Sequence, residues 1–314
     1  AVSPHTVKTY ANCFVLLVQF AADRLKRRPT DLEVEDLDTD MIMAFLDHVE
    51  IGRGSCVRTR NGRLAAIRSF FRYIEYRIPA CLDQALRVRA IPTKKTDKAL
   101  IDYLDRAEIK ALLDTPDPRT RLGTRDRAML HLTYAGGLRV SELVTLQLGD
   151  FPDRSLSTMH IMGKGRRERV LPLWKETQIA LRAWLAIRPQ VEVTEIFLNA
   201  NGQPMTRDGF AFRLAEHVKT AATKQPSILG KRVTPHVLRH SCAMHTLAAT
   251  GDIRKVALWL GHASIQSTET YLRADPEEKL QILAAHGAPA IKPGRFKPPS
   301  DALITMLTDV RRRA

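Results

Sequence analysis

The sequence predicts a mainly α protein of two domains, an N-terminal helical bundle followed by a larger α-rich domain with one small antiparallel β-sheet. Three observations lead there. At 314 residues the chain exceeds the usual size of one domain. Apolar residues recur at helical spacing in both halves, and the period shortens to two only around residues 155–173. Between the halves, RAIPTKKTDKALID at 89–102 replaces that periodicity with proline, threonine and charge.

The elements follow in order. Ser3 is a plausible cap and Pro4 is tolerated in a first turn, so YANCFVLLVQFAADRLKRR continues a first helix. Helical spacing returns near 39–51 and at 57–77, where Leu64, Ile67, Phe70, Phe71 and Ile74 share a face. Pro79 interrupts the run and ALRVRAIP supplies a fourth short helix, giving a domain at 1–88 and a linker at 89–102. The second domain, 103–290, begins at DRAEIKALLDT and continues through DRAMLHLTYAG to a break at Gly136 and Gly137. Arg139 then opens the helix VSELVTLQ. SLSTMHIM and RERVLPL read as two strands around the turn Gly163, Lys164, Gly165. Helices resume at about 174–188, 206–221, 235–249 and 252–260. Residues 291–314 form a Pro- and Gly-containing connector and a last amphipathic helix, in which Leu303, Met306, Leu307 and Val310 share a face suited to docking on a partner protomer.

Composition narrows the function. Forty-nine Lys and Arg against thirty-four Asp and Glu leave a formal charge of +15, which favours a polyanionic partner through attraction to phosphates and release of their counterions. Cys13, Cys56, Cys81 and Cys242 are widely spaced with no C-x-x-C, so neither a disulfide framework nor a cysteine zinc site is expected. No run is long and apolar enough for a bilayer and no signal-peptide pattern opens the chain, so a cytoplasmic, nucleoid-associated protein is expected, with no membrane partner. Among the cations of the first domain, Lys8, Arg58, Arg60, Arg63 and Arg68 are expected to meet DNA, as are Lys94 and Lys95 of the linker and Arg166 and Arg167 of the hairpin.

The chemistry concentrates in TPHVLRHSCAMHTLAATGDIRKVALWLGHASIQSTETY, which gathers His236, Arg239, His262 and Tyr271, while GGLRVSEL upstream adds Arg139. These are a phenol nucleophile and groups that bind and protonate a phosphate. GLRVSEL, the HxxR of His236 and Arg239, LGH ending at His262 and a tyrosine nine residues later resemble the catalytic motifs of the tyrosine recombinases, the phage-integrase and Xer-like family. The likeness in layout covers roughly residues 1–285.

That resemblance implies a SAM-like core-binding bundle ahead of the catalytic domain, enclosing DNA as a clamp. It implies that Tyr271 attacks the scissile phosphate, expels the 5′-hydroxyl and is left as a 3′-phosphotyrosyl linkage. Arg139 and Arg239 would hold the nonbridging oxygens, Lys164 would protonate the leaving oxygen, His236 would accept or relay the tyrosine proton, and His262 would donate to a nonbridging oxygen. Glu142 and His240 are expected to orient the arginines. No metal and no cofactor is expected, because no carboxylate cluster for two-metal chemistry and no ATPase phosphate loop is present. The implied partners are double-stranded DNA with specific recombination sites, a homo-tetramer spanning two duplexes with a dimer per site, and an accessory recombination protein. Strand exchange would pass through a Holliday junction, serving integration, excision, transposition or dimer resolution. Two other readings use the same charge: a type IB-like DNA topoisomerase and a noncatalytic DNA architectural protein.

Overall fold

In the computed structural model, residues 4–96, 102–163, 168–262, 266 and 268–274 are described. The chain divides into two units, Ala1–Ala99 and Leu100–Ala314. Among its described residues the first unit has four α-helices: α1 (Pro4–Leu25), α2 (Thr39–Asp47), α3 (Val57–Arg77) and α4 (Leu82–Ala90). Asp38 starts α2 by accepting the Met41 amide at 2.7 Å, satisfying a donor that the first turn cannot pair. α3 ends at Ile78, which the following Pro79 holds out of the helical region. Leu17 and Ala21 of α1, Ile42 and Phe45 of α2, and Leu64, Ile67 and Phe71 of α3 close a common core. Each leucine, isoleucine or phenylalanine among them contributes about 1.5–3 kcal/mol when fully buried. The expected core residue Phe70 is only half-buried; it packs edge-on to Phe14, with ring centroids 5.1 Å apart. α4 runs through Ala90 and Ile91 is buried in the same core, so the chain leaves this unit later than the linker start expected at residue 89.

The second unit contains α5 (Arg106–Leu113), α6 (Arg121–Ala135), α7 (Val140–Val144), β1 (Thr158–Met162), β2 (Glu168–Pro172), α8 (Lys175–Ile187), α9 (Arg207–Lys224), α10 (Pro235–Thr250), α11 (Ile253–Leu260) and α12 (Glu269–Ala274). β1 and β2 pair antiparallel with Thr158 opposite Pro172 and Met162 opposite Glu168. Met159, Ile161 and Leu171 point into the core and their neighbours outward, as a period of two requires. Local chemistry explains where the helices begin and end. Asp105 and Glu108 form a reciprocal capping box on α5, and Thr234 caps α10 ahead of Pro235, whose missing N–H costs nothing in a first turn. α11 stops at Gly261, which has φ +64 in the left-handed region. Buried Asp126 of α6 binds Arg125, Arg213 and His217, tying α9 to α6, and Trp184 of α8 donates to Ile196 O at 3.0 Å. The core formed by Leu132, Leu138, Trp184, Phe210, Leu238 and Leu260 thus fixes the helix ends that carry the site.

Candidate active site

The site is assembled where α6, α7, α10, α11 and α12 meet, and its organising group is Glu142. Arg139, at the N-cap of α7, donates its backbone N–H to Glu142 Oε2 at 3.0 Å and its Nη1 to Oε1 at 2.7 Å. Arg169 of β2 donates Nη2 to Oε2 at 2.8 Å and Nη1 to Oε1 at 3.3 Å. Arg239 Nη1 lies 4.0 Å from the same carboxylate. Burial alone would raise the Glu142 carboxyl, but hydrogen bonds from Arg169 and Arg139 outweigh it and hold the group below the usual carboxylate value. Glu142 thus holds Arg139 and Arg169 by direct hydrogen bonds, with Arg239 beside it.

Arg239 is 2% exposed and braced by backbone oxygens, donating to Gly137 O and, at 2.9 Å, to Leu260 O. Burial and the charge of Arg139 push it down to about 10, which still leaves it cationic at neutral pH. The brace depends on a tight turn. Gly137 has φ +54, and a Cβ there would lie 2.5 Å from Leu260 Cδ2.

Tyr271 lies on α12, a short helix absent from the sequence reading, and is 2% exposed. Its hydroxyl lies 2.9 Å from His240 Nδ1, and its ring stacks with His262 at 6.4 Å and 8°. Burial pushes the phenol up to about 12, with Arg239 opposing. His240 falls to about 4 through burial and the cationic forms of His236, Arg239 and His262; His262 falls to about 4 through burial and the arginines. Both rings are therefore neutral near pH 7. His262 Nδ1 meets Thr268 Oγ1 at 2.7 Å, a contact that orients the ring. His236, more exposed at the start of α10, sits edge-on to His240 with centroids 4.3 Å apart, and partial burial beside Arg239 and Arg139 also lowers its pKa. The expectation for His240 is thus corrected. It contacts the tyrosine hydroxyl rather than the arginines, because one further residue along α10 turns it away from Arg239 toward α12.

Residues 102–278 match the model of the phage integrase family, and residues 1–77 match the N-terminal SAM-like domain of phage integrases. The chain belongs to the phage integrase family. It is 40% identical over 308 residues to the integrase/recombinase y4rC of Sinorhizobium fredii, spanning 98% of this chain and 92% of the relative. It is 35% identical to tyrosine recombinase XerC of Myxococcus xanthus over 89% of this chain and 90% of that one. Among solved structures, XerH recombinase bound to palindromic difH substrate superposes with a TM-score of 0.66 at 21% identity, covering 88% of this chain and 78% of that one. XerA recombinase gives 0.52 at 22% identity over 92% and 94%. These two likenesses concern the fold. The family assignment makes the chain an enzyme of tyrosine-type site-specific DNA recombination and sets aside the topoisomerase and architectural readings.

The first domain of this recombinase sorts its expected DNA contacts by exposure. Lys8, Arg58 and Lys95 are exposed. Lys94 pairs with Glu50 at 2.8 Å. Arg63 is half-buried, and Arg68, also half-buried, donates to Ile91 O. Arg60 is corrected outright: it is 2% exposed, 3.5 Å from Glu50, and belongs to the core side of α3. Lys164, Arg166 and Arg167, and the tail residues Leu303, Met306, Leu307 and Val310, lie outside the described residues. Sequence reasoning missed Arg169, whose signal was its place in the second strand of the hairpin that carries Lys164, on the strand face that half-buries.

Proposed function

We propose that Tyr271 is the nucleophile of this recombinase, that Arg139 and Arg239 hold the nonbridging oxygens of the scissile phosphate, and that His240 takes the phenolic proton. The observation that carries this reading is the convergence of a buried tyrosine, its histidine partner and two carboxylate-braced arginines from separate segments of the chain. In the step, the Tyr271 oxygen bonds to phosphorus while the bond from phosphorus to the 5′-oxygen breaks. The phenolic proton passes to His240 Nδ1, and the departing oxygen gains a proton from Lys164. His262 and His236 complete the polar wall around the phosphate. Charge that develops on the phosphoryl oxygens meets guanidinium groups already held in place, so little reorganisation is needed at the moment of reaction.

Burial holds the Tyr271 phenol up and the His240 imidazole down, so each favours its neutral form. Beside burial, the charge of neighbouring groups such as Arg239 lowers His240, and a bound phosphodiester, being negative, offsets that charge and favours the transfer of the proton where cleavage is wanted.

Strand exchange through a Holliday junction needs four such sites, and we infer a homo-tetramer on two duplexes, with a dimer at each site, working in the cytoplasm on nucleoid DNA. An apolar cavity of about 470 Å³ lined by Tyr134, Trp174, Cys242, His245, Leu258 and Trp259 supports that reading, since it can receive the face of Leu303, Met306, Leu307 and Val310 from a neighbour. An accessory recombination protein fits the same scheme.

The test is a nicked suicide duplex from the gene's own locus, with adducts resolved on a denaturing gel and located by peptide mass analysis. A 3′-phosphate linkage on Tyr271 is expected, and none with Tyr271→Phe. An adduct that persists in the phenylalanine variant would place the nucleophile elsewhere.

A further inference from the structure

Arg169 is tied more closely to the arginine pair than any role so far explains. Its side chain is 9% exposed, and both terminal nitrogens are spent on Glu142. Its Nε is buried without a hydrogen-bond partner, so its hydrogen bonding is given wholly to that carboxylate. On its other side it fills the space above Gly261, where a Cβ would lie 2.9 Å from Nη1 and 3.0 Å from Cδ, directly before His262. Arg169 therefore touches the groups that place Arg139 and His262, while standing in β2, five residues after Lys164.

Charge balance gives this arrangement a purpose. Glu142 faces Arg139 and Arg169 in direct contact and Arg239 at 4.0 Å. One carboxylate against three guanidinium groups leaves two positive charges among these residues, matching the doubly negative phosphorane through which a phosphodiester exchanges. If Arg169 were removed, Arg139 would become the chief partner of a buried carboxylate and would compete poorly for phosphate.

We propose that Arg169 is a positioning residue of the cleavage step: it neutralises Glu142, and so leaves Arg139 and Arg239 charged and available to the scissile phosphate. This rests on the assignment of those two arginines as the phosphate ligands.

The experiment uses the full chain and a nicked duplex cut from the segment of its own locus that it protects from nuclease. Adduct formation is timed at saturating DNA, with Kd and thermal melting measured beside it. Arg169→Gln is expected to slow adduct formation about 100-fold with Kd unchanged. Glu142→Gln alone should also slow the reaction, yet adding it to Arg169→Gln should speed that variant about tenfold, because the competing carboxylate is gone. A merely structural role gives no such reversal of sign. A rate for Arg169→Gln within about threefold of the parent, or a double variant no faster than Arg169→Gln, overturns the proposal. Should Arg169→Gln fail to melt cooperatively, Arg169→Lys carries the test: a rate within about tenfold of the parent supports the charge role, and a folded but slower lysine variant overturns it. Tyr271→Phe and Arg139→Ala are run in parallel. If the first still forms the adduct, or the second reacts like the parent, the reading of the site itself has failed rather than the part given to Arg169.

Discussion

Tyr271 and His240 form a pair in which each is held away from its charged form, the phenol up near 12 and the imidazole down near 4, by a pocket that leaves the tyrosine 2% exposed. Replacing His240 by alanine strands a buried hydroxyl, which costs about 1–3 kcal/mol in denaturant unfolding. If His240 takes the proton, His240→Ala also slows adduct formation by about 10²–10⁴-fold, measurable on the nicked duplex. A variant that loses stability but cleaves like the parent would move the proton acceptor to another group. The sequence disclosed that His236, Arg239 and His240 share one helix. It did not disclose which ring faces the tyrosine, because that depends on where α12 packs, and α12 lies beyond a segment with no strong periodic signal.

At the scale of the element, α3 shows how one helix separates two uses of the same residue type. Arg58 and Arg60 are two positions apart, roughly 200° around the helix. Arg60 falls on the stripe that continues through Leu64, Ile67, Phe71 and Ile74, and that stripe is buried. The period that identified the helix thus also contained the correction, which the count of basic residues obscured. Arg58→Ala is expected to weaken DNA binding and lower the slope of log K against log salt by about one, with stability changed by less than about 0.5 kcal/mol. Arg60→Ala should instead cost about 1–3 kcal/mol in unfolding and leave the salt slope alone. A salt titration beside a urea melt separates the two. α11 gives a parallel lesson: the sequence placed Gly261 at the helix end, but only packing showed that its missing Cβ makes room for Arg169.

For the molecule as a whole, acid should be a strong denaturant of the catalytic unit. His131, His240 and His262 lie near 4 when folded, against 6.5 as free side chains, each chiefly through burial. The unfolded chain therefore binds more protons between those values, so stability is complete above about pH 6.5 and declines as pH falls toward about 4. Asp126 and Glu142, both held below their usual values, add a loss in the same direction at still lower pH. Calorimetry at pH 7 and pH 5 is expected to show a clearly lower Tm at pH 5, and an unchanged Tm would mean that these histidines are already protonated in the fold. The charge of +15 makes DNA binding salt-sensitive at any of these pH values.

The sequence by itself determined the helix-rich two-domain plan and the hairpin, and it singled out Arg139, Glu142, Arg239, His262 and Tyr271 as candidates for one site. Helical and strand periods are local, and the motif residues cluster within a few short segments. Tertiary structure alone decided that His240 meets the Tyr271 hydroxyl, that Arg169 shares Glu142 with Arg139, and that Arg60 is buried. Each of these is a meeting of side chains from segments up to about thirty residues apart, or a choice between two faces of one helix. The physical reason is that periodicity specifies which face of an element is apolar, whereas the partner of a polar group depends on how elements pack, and burial then sets its charge.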